Sequence, residues 1–241
     1  MDIRTAKPNE KNIIIDLWEY CFDDSPEFVQ WFFNTRYHHD NTLVVLDKNR
    51  ICSASQLLPY NISIRGKNMK TSYIVGVSTW PEDRGKGYIS KLLYRSLEEM
   101  RERKQWVSIL LPFNYDFYRK YCWETCYNYN LYTGSKDNFL NYLNKIEIRG
   151  NLRPVSLPED LNVLETFYSY YTNGLNGFVV RTVDDWDRIL ADARIDGGNG
   201  YIYKIGNQAM GFMLLSDDQD AINIRSIYCK NIEIYLEMLK I

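Results

Sequence analysis

No apolar run in this 241-residue chain approaches the roughly 20 residues a membrane-spanning helix needs. Met1-Asp2-Ile3-Arg4 opens no apolar secretory segment, so a cytoplasmic location is expected. Histidine is nearly missing, with only His38 and His39. The five cysteines, Cys21, Cys52, Cys122, Cys126 and Cys229, are odd in number. Cys122 and Cys126 stand one residue wider than a Cys-x-x-Cys pair. A disulfide framework, a metal site and a Cys–His nucleophile therefore have no support, and reduced thiols are expected. Neither sign of charge is in excess: 29 Lys and Arg face 31 Asp and Glu, net −2, which excludes a general nucleic-acid binder. Neither Gly-x-x-x-x-Gly-Lys-Ser/Thr nor Gly-x-Gly-x-x-Gly occurs, so a nucleoside-triphosphate loop and a dinucleotide fingerprint are both excluded.

Aromatic residues are plentiful. The 20 Tyr, 10 Phe and 6 Trp make up 15% of the chain, which a disordered protein would lack. Charge divides along the chain, with net +3 over residues 1–149 and −5 over 150–241. Arg149-Gly150-Asn151 and Pro154 sit at that change, so a domain border is expected near residue 150.

Ile13, Ile14, Leu17, Trp18 and Cys21 recur at helical spacing, predicting a helix over 9–22. Asp24-Ser25-Pro26 opens a second helix with Phe28, Trp31 and Phe32 on its apolar face. Strands follow over Thr42–Leu46, Arg50–Ile64 and Lys70–Thr79, joined by turns at Asp47-Lys48-Asn49 and Gly66-Lys67-Asn68. Arg84-Gly85-Lys86-Gly87 then forms a loop before a helix ending near Arg103. A strand over 106–111, a short helix over 115–121 capped by Asn114, and a strand over 127–133 complete this half. Strand, glycine-rich basic loop and helix together make a phosphate cradle. The first-turn N–H groups of a helix lack internal partners, and small residues let an anion approach them. A plain strand-turn-helix is the alternative for the bare loop.

Arg84-Gly85-Lys86-Gly87-Tyr88-Ile89 resembles the coenzyme loop Arg/Gln-x-x-Gly-x-Gly/Ala of the GNAT superfamily of N-acetyltransferases. Ile89 departs from the last position, and the enhanced intracellular survival (Eis-like) branch carries a bulky apolar residue there. Leu111-Pro112-Phe113 and the run Phe117-Tyr118-Arg119-Lys120-Tyr121-Cys122-Trp123 resemble elements of the same branch. Arg153-Pro154-Val155, Arg181, Trp186 and the strand-turn-strand over 200–215 resemble its second domain.

The resemblance implies an α/β (α+β) chain of tandem GNAT-like domains. Each would be a mixed, mostly antiparallel sheet flanked by helices, with an acetyl-CoA-binding domain over 1–150 and a short, degenerate, non-catalytic copy over 151–241. The implied activity is direct transfer of acetyl from acetyl-CoA, with no metal, to a primary amine, whether aminoglycoside-like, polyamine or lysine-like. Val77, Ser78, Thr79, Arg84, Gly85, Lys86, Gly87 and Tyr88 would hold the coenzyme. A backbone N–H near Val77 would polarise the thioester carbonyl, and Tyr118 would be the general acid. Asp23, Asp24 and Trp31 would line the amine pocket, against the simpler readings of helix capping and core packing.

The resembled family forms hexamers, so a homo-oligomer is implied, with no nucleic-acid or membrane partner. Its general base is the carboxylate ending a third, sterol-carrier-like domain that this sequence lacks, which leaves the base open. It also leaves open a coenzyme-A-binding regulatory or structural protein without turnover, or an inactive fragment.

Overall fold

The computed structural model of the chain describes residues 1–217 and 221–241. It divides into two compact units, Met1–Asn128 with Gly177–Val180, and Tyr129–Asn176 with Arg181–Ile241.

The first unit is a six-stranded, mostly antiparallel sheet flanked by helices. Its elements are β1 (Asp2–Thr5), α1 (Lys11–Cys21), α2 (Pro26–Thr35), β2 (Thr42–Asp47), β3 (Arg50–Ile64), β4 (Lys67–Thr79), α3 (Tyr88–Glu102), β5 (Ser108–Ile109) and α4 (Tyr115–Arg119). Strand order is β1-β2-β3-β4-β5, and Phe178–Val179 pairs with the far end of β3. The expected α-α-β-β-β opening is present, preceded by β1, which the sequence reading did not contain. The β2–β3 and β3–β4 hairpins turn through Lys48-Asn49 and Arg65-Gly66, all at positive φ, as two-residue turns between twisted strands require.

Alternation along the strands sends side chains to two separate cores. Val44, Ala54 and Leu58 pack against Ile14, Leu17 and Trp18 of α1 and Val29, Phe32 and Phe33 of α2. Trp18 sits 4.6–5.6 Å, centroid to centroid, from the rings of Phe22, Phe32 and Phe33. On the other face Leu43, Val45, Leu57 and Ile74 pack against Leu92, Leu93 and Met100 of α3 and Tyr118 of α4.

The second unit is a four-stranded antiparallel sheet in the order Ile222–Cys229, Gln208–Asp217, Gly198–Ile205, Asn151–Pro154. Helices Leu161–Thr172 and Val183–Ile195 bury Leu164, Phe167, Trp186 and Leu190 on one face, and helix Ile232–Lys240 buries Ile234 and Met238 on the other. Among the described residues no helix is long and apolar enough to cross a membrane.

Three expectations need correction. The division falls after Asn128, earlier than residue 150. Residues 129–150 belong to the second unit because Lys240 Nζ donates to the carbonyls of Asn144 and Ile146, at 3.1 and 2.6 Å, and Glu237 holds Arg149. Gly177–Val180 joins the first unit because the N–H groups of Gly177 and Val180 donate to the carbonyls of Ser63 and Asn61 at 2.7 and 2.8 Å. No strand forms over 127–133, where Tyr129, Leu131 and Tyr132 are exposed and no neighbouring strand supplies a ladder. The strand expected over 106–111 shortens to Ser108–Ile109, for a reason that bears on the site.

Glu237, only 2% exposed, is the buried charge that ties the second unit together. It accepts from Arg149 N at 3.0 Å and Nε at 2.8 Å, and from the Tyr203 hydroxyl. Burial pushes its pKa up, but the hydrogen bonds from Arg149 and Tyr203 outweigh this and hold the carboxyl below its ordinary range. The stabilisation is therefore present above that range and is lost as pH falls through the lowered value. Glu237→Ala strands buried donors, and a loss of about 3 kcal/mol is expected. Thermal denaturation followed by circular dichroism should read this as a fall in Tm of about 6–12 °C.

Candidate functional site

β4 changes character partway along its length. Gln56 of β3 pairs with Val75, but Ala54 pairs with Ser78, so Gly76 and Val77 together face Ser55. This is a β-bulge. Gly76 adopts φ +62°, and a side chain there would overlap the Trp18 ring and the Gln56 amide, so glycine is required twice over. On its other edge β4 pairs with β5 only at Ser72–Ser108 and Tyr73–Ile109. Beyond Tyr73 the ladder ends and the edge carrying Val75 and Val77 has no strand partner, which is why β5 is so short.

Ser53 Oγ donates to the Ser78 carbonyl at 2.6 Å and lies 2.9 Å from Thr79 Oγ1, so the buried side chain of Thr79 is spent within the sheet. The Thr79 carbonyl accepts from Arg84 Nε at 3.3 Å and from the Cys21 thiol at 3.5 Å.

The loop after β4 is braced from below. Asp83, 1% exposed, takes Arg50 and Lys86 together, with Lys86 Nζ at 2.8 Å. Burial pushes the Asp83 carboxyl up, but the bonds from Lys86 and Arg50 prevail and hold it below the usual carboxylate range. Lys86 therefore staples the loop, a different duty from the anion contact expected of it. Tyr88 buries its ring in the α3 core and donates its hydroxyl to Asp47 at 3.0 Å, leaving only its backbone at the loop.

Gly85 and Gly87 stand at φ +78° and +77°, and a Cβ on either would meet open space. Gly87 caps α3 without a side chain, and the first helical bond runs from Lys91 N–H to the Gly87 carbonyl at 3.3 Å. The N–H groups from Gly85 to Ser90 make no backbone bond. The loop thus offers a run of free donors at the positive end of a helix, with room above them.

Asn114 caps α4 by accepting from Phe117 N–H at 2.9 Å, which seats Tyr118 in the same core as α3. Its ring centroid lies 5.7, 5.2 and 6.3 Å from those of Phe113, Phe117 and Trp123. Burial raises the Tyr118 pKa, and neighbouring Tyr73 adds to the rise, so the phenol keeps its proton through neutral pH.

The loop and Tyr118 share one face of the sheet, while the residues expected in an amine pocket lie on the α1–α2 side. Asp24 accepts from the Trp18 indole N–H at 2.8 Å and so fixes a core ring. The cap of α2 is Ser25, whose Oγ accepts from Phe28 N–H at 3.1 Å. Trp31 is partly buried against Phe28, and Asp23 is solvent-facing. His38, His39 and Asp40 bring ligand atoms within 4.8 Å of one another on the surface, with the two rings stacked. Sequence reasoning missed Arg50, Asp83 and Gln56, because only the folded sheet carries Arg50 to Asp83 and Gln56 to the bulge.

A family model described as an acetyltransferase (GNAT) domain matches residues 2–126. No curated protein matches the chain. A conserved protein of Enterococcus faecalis V583, described as a probable N-acyltransferase, is 20% identical with a TM-score of 0.77, over 99% of this chain and 61% of its own. Eis1 from Mycobacterium abscessus is 13% identical with a TM-score of 0.67, over 100% of this chain and 63% of its own. N-myristoyltransferase from Saccharomyces cerevisiae, solved with myristoyl-CoA bound, is 11% identical with a TM-score of 0.59, over 95% of this chain and 65% of its own. At these identities the structures share the fold, and this chain spans less than two thirds of each. With the family model covering more than half its residues, the chain belongs to the GNAT acetyltransferase family.

Proposed function

We propose that the protein transfers an acetyl group from acetyl-CoA to a primary amine within a ternary complex. The observation that carries this reading is the conjunction on one sheet face of an open β4 edge, a run of free N–H donors over open space at Gly85–Gly87, and a buried protonated phenol. The structural neighbour N-myristoyltransferase, solved with myristoyl-CoA bound, supports a thioester of coenzyme A as the donor.

The edge at Val77 and Thr79 pairs with the amide-rich pantetheine arm as an added strand would. The N–H groups of residues 85–88 take the pyrophosphate, joined by Arg84 once its guanidinium leaves the Thr79 carbonyl. The amine nitrogen attacks the thioester carbon, and the carbonyl oxygen becomes an oxyanion held by a backbone N–H near Val77. Collapse breaks the C–S bond, and the departing thiolate takes the Tyr118 proton. The surplus proton on nitrogen leaves to solvent water. Holding both reactants in line supplies much of the rate, and no covalent enzyme intermediate is needed.

The fold shared with Eis1 supports reading the second unit as an Eis-like, non-catalytic GNAT copy. Only Lys230 and Asn231 separate its strand Ile222–Cys229 from its last helix, too short a link for a phosphate loop. The test is release of free thiol from acetyl-CoA in the presence of polyamines, aminoglycosides and lysine peptides. Amine-dependent release is expected. Coenzyme binding without such release for any amine would replace this reading with that of a coenzyme-A-binding regulatory protein.

A further inference from the structure

Among the described residues, five buried side-chain polar atoms have no protein partner, and three of them lie on two consecutive residues of β3: Ser55 Oγ, Gln56 Nε2 and Gln56 Oε1. Gln56 is 1% exposed, and neither end of its amide is paired. Burying an unpaired amide costs stability, and a leucine or methionine would fill the same core position without that cost. Its same-face neighbours on β3, Ala54 and Leu58, are apolar and pack on α1 and α2.

The place of the amide gives the cost a reason. Gln56 pairs with Val75, one residue before the bulge. The left-handed glycine at 76 lets the β4 backbone lie directly beneath the Gln56 amide and the Trp18 ring. That backbone is the segment whose other edge is free for the thioester arm. The donor loop and Tyr118 pack on the α3 side of the sheet, whereas Gln56 is on the α1–α2 side. An amide kept unpaired at this point, opposite the donor, is suited to the second reactant.

We propose, resting on the acetyl-transfer reading above, that Gln56 is an acceptor-binding residue. Its Oε1 accepts an N–H from the attacking primary amine, and its Nε2 donates to a second polar atom of the acceptor. A primary amide is no base at neutral pH, so Gln56 orients the amine and takes no proton from it. Because Gln56 is almost wholly buried, the acceptor expected there is a primary amine on a thin, unbranched arm rather than one attached directly to a sugar ring.

The experiment compares wild type with Gln56→Met, using spermidine as the acceptor and glucosamine as the ring-borne alternative. Wild type is expected to release thiol with spermidine. In Gln56→Met, kcat/KM for spermidine is expected to fall by about tenfold, mostly through KM, with acetyl-CoA affinity unchanged. Its Tm is expected to stay the same or rise, because an apolar side chain of the same length removes an unpaired buried amide. A Tm several degrees lower, or failure to fold, would assign Gln56 to structure and overturn the proposal. So would unchanged spermidine kinetics, or wild-type turnover of glucosamine but not spermidine. Wild-type silence with every amine would overturn the acetyl-transfer reading itself, and this proposal with it.

Discussion

Turnover of the Tyr118→Phe variant is expected to fall by roughly 10²–10⁴-fold, the range a positioned general acid contributes, while acetyl-CoA affinity stays at the wild-type value. The substitution removes one hydroxyl and keeps the ring that touches Phe113, Phe117 and Trp123, so Tm should hold as well. Steady-state thiol release together with direct coenzyme titration separates the two effects. Equal losses in turnover and affinity would place Tyr118 in binding, and undiminished turnover would remove it from the chemistry.

The pH profile carries a second signature of the same residue. The working form is the protonated phenol, so activity is present below the Tyr118 pKa and lost as pH rises through it. Burial and the neighbouring Tyr73 raise that pKa above the ordinary tyrosine value of about 10. The alkaline fall in kcat should therefore come at a higher pH than for an ordinary tyrosine, and this limb should be missing from the Phe variant.

Gly87→Val is expected to weaken acetyl-CoA binding by about tenfold or more, since a β-branched side chain would stand over the free donors. Two separable effects are combined in this variant. Gly87 lies at φ +77°, where valine is strained by roughly 1–3 kcal/mol wherever it points. A Cβ there meets no protein atom within 4 Å, so within the chain the new side chain enters open space, and any crowding falls on the bound anion. Gly66 supplies the control. It sits at φ +71° with equally open space, in the β3–β4 hairpin away from the loop. Gly66→Val should share the loss of Tm and leave coenzyme affinity intact. If the two variants bind acetyl-CoA alike, the loop is a turn and the phosphate cradle is elsewhere.

The local features of this chain were legible in its residues. Ile14, Leu17 and Trp18 mark α1 by their helical spacing, Pro26 marks the first turn of α2, and Lys48-Asn49 mark a hairpin. Arg84 to Gly87 mark the glycine-rich loop that leads from a strand into an amphipathic helix. Each depends on neighbours a few residues apart, and periodicity, capping and turn chemistry are written at that range. Features that depend on pairing at a distance were not legible. Nothing near Asp83 announces that Arg50, at the start of β3, joins Lys86 on its carboxylate. Tyr127–Thr133 reads as a strand from its own residues, but a strand needs a partner edge, and the fold offers it none. Phe178–Val179 lies far along the chain yet completes the first sheet, because the end of β3 had an open edge to fill.

The sequence by itself determined that this protein carries a glycine-rich basic loop leading into a helix and a tyrosine-bearing helix downstream of it. Tertiary structure alone decided that β4 leaves β5 after a single pair of contacts, that the bulge at Gly76 brings Gln56 over the open strand, and that Tyr118 shares a core with the loop helix. The physical reason is that hydrogen-bond ladders and burial are long-range: a backbone edge is free, or a side chain unpaired, only relative to what the rest of the chain has brought beside it.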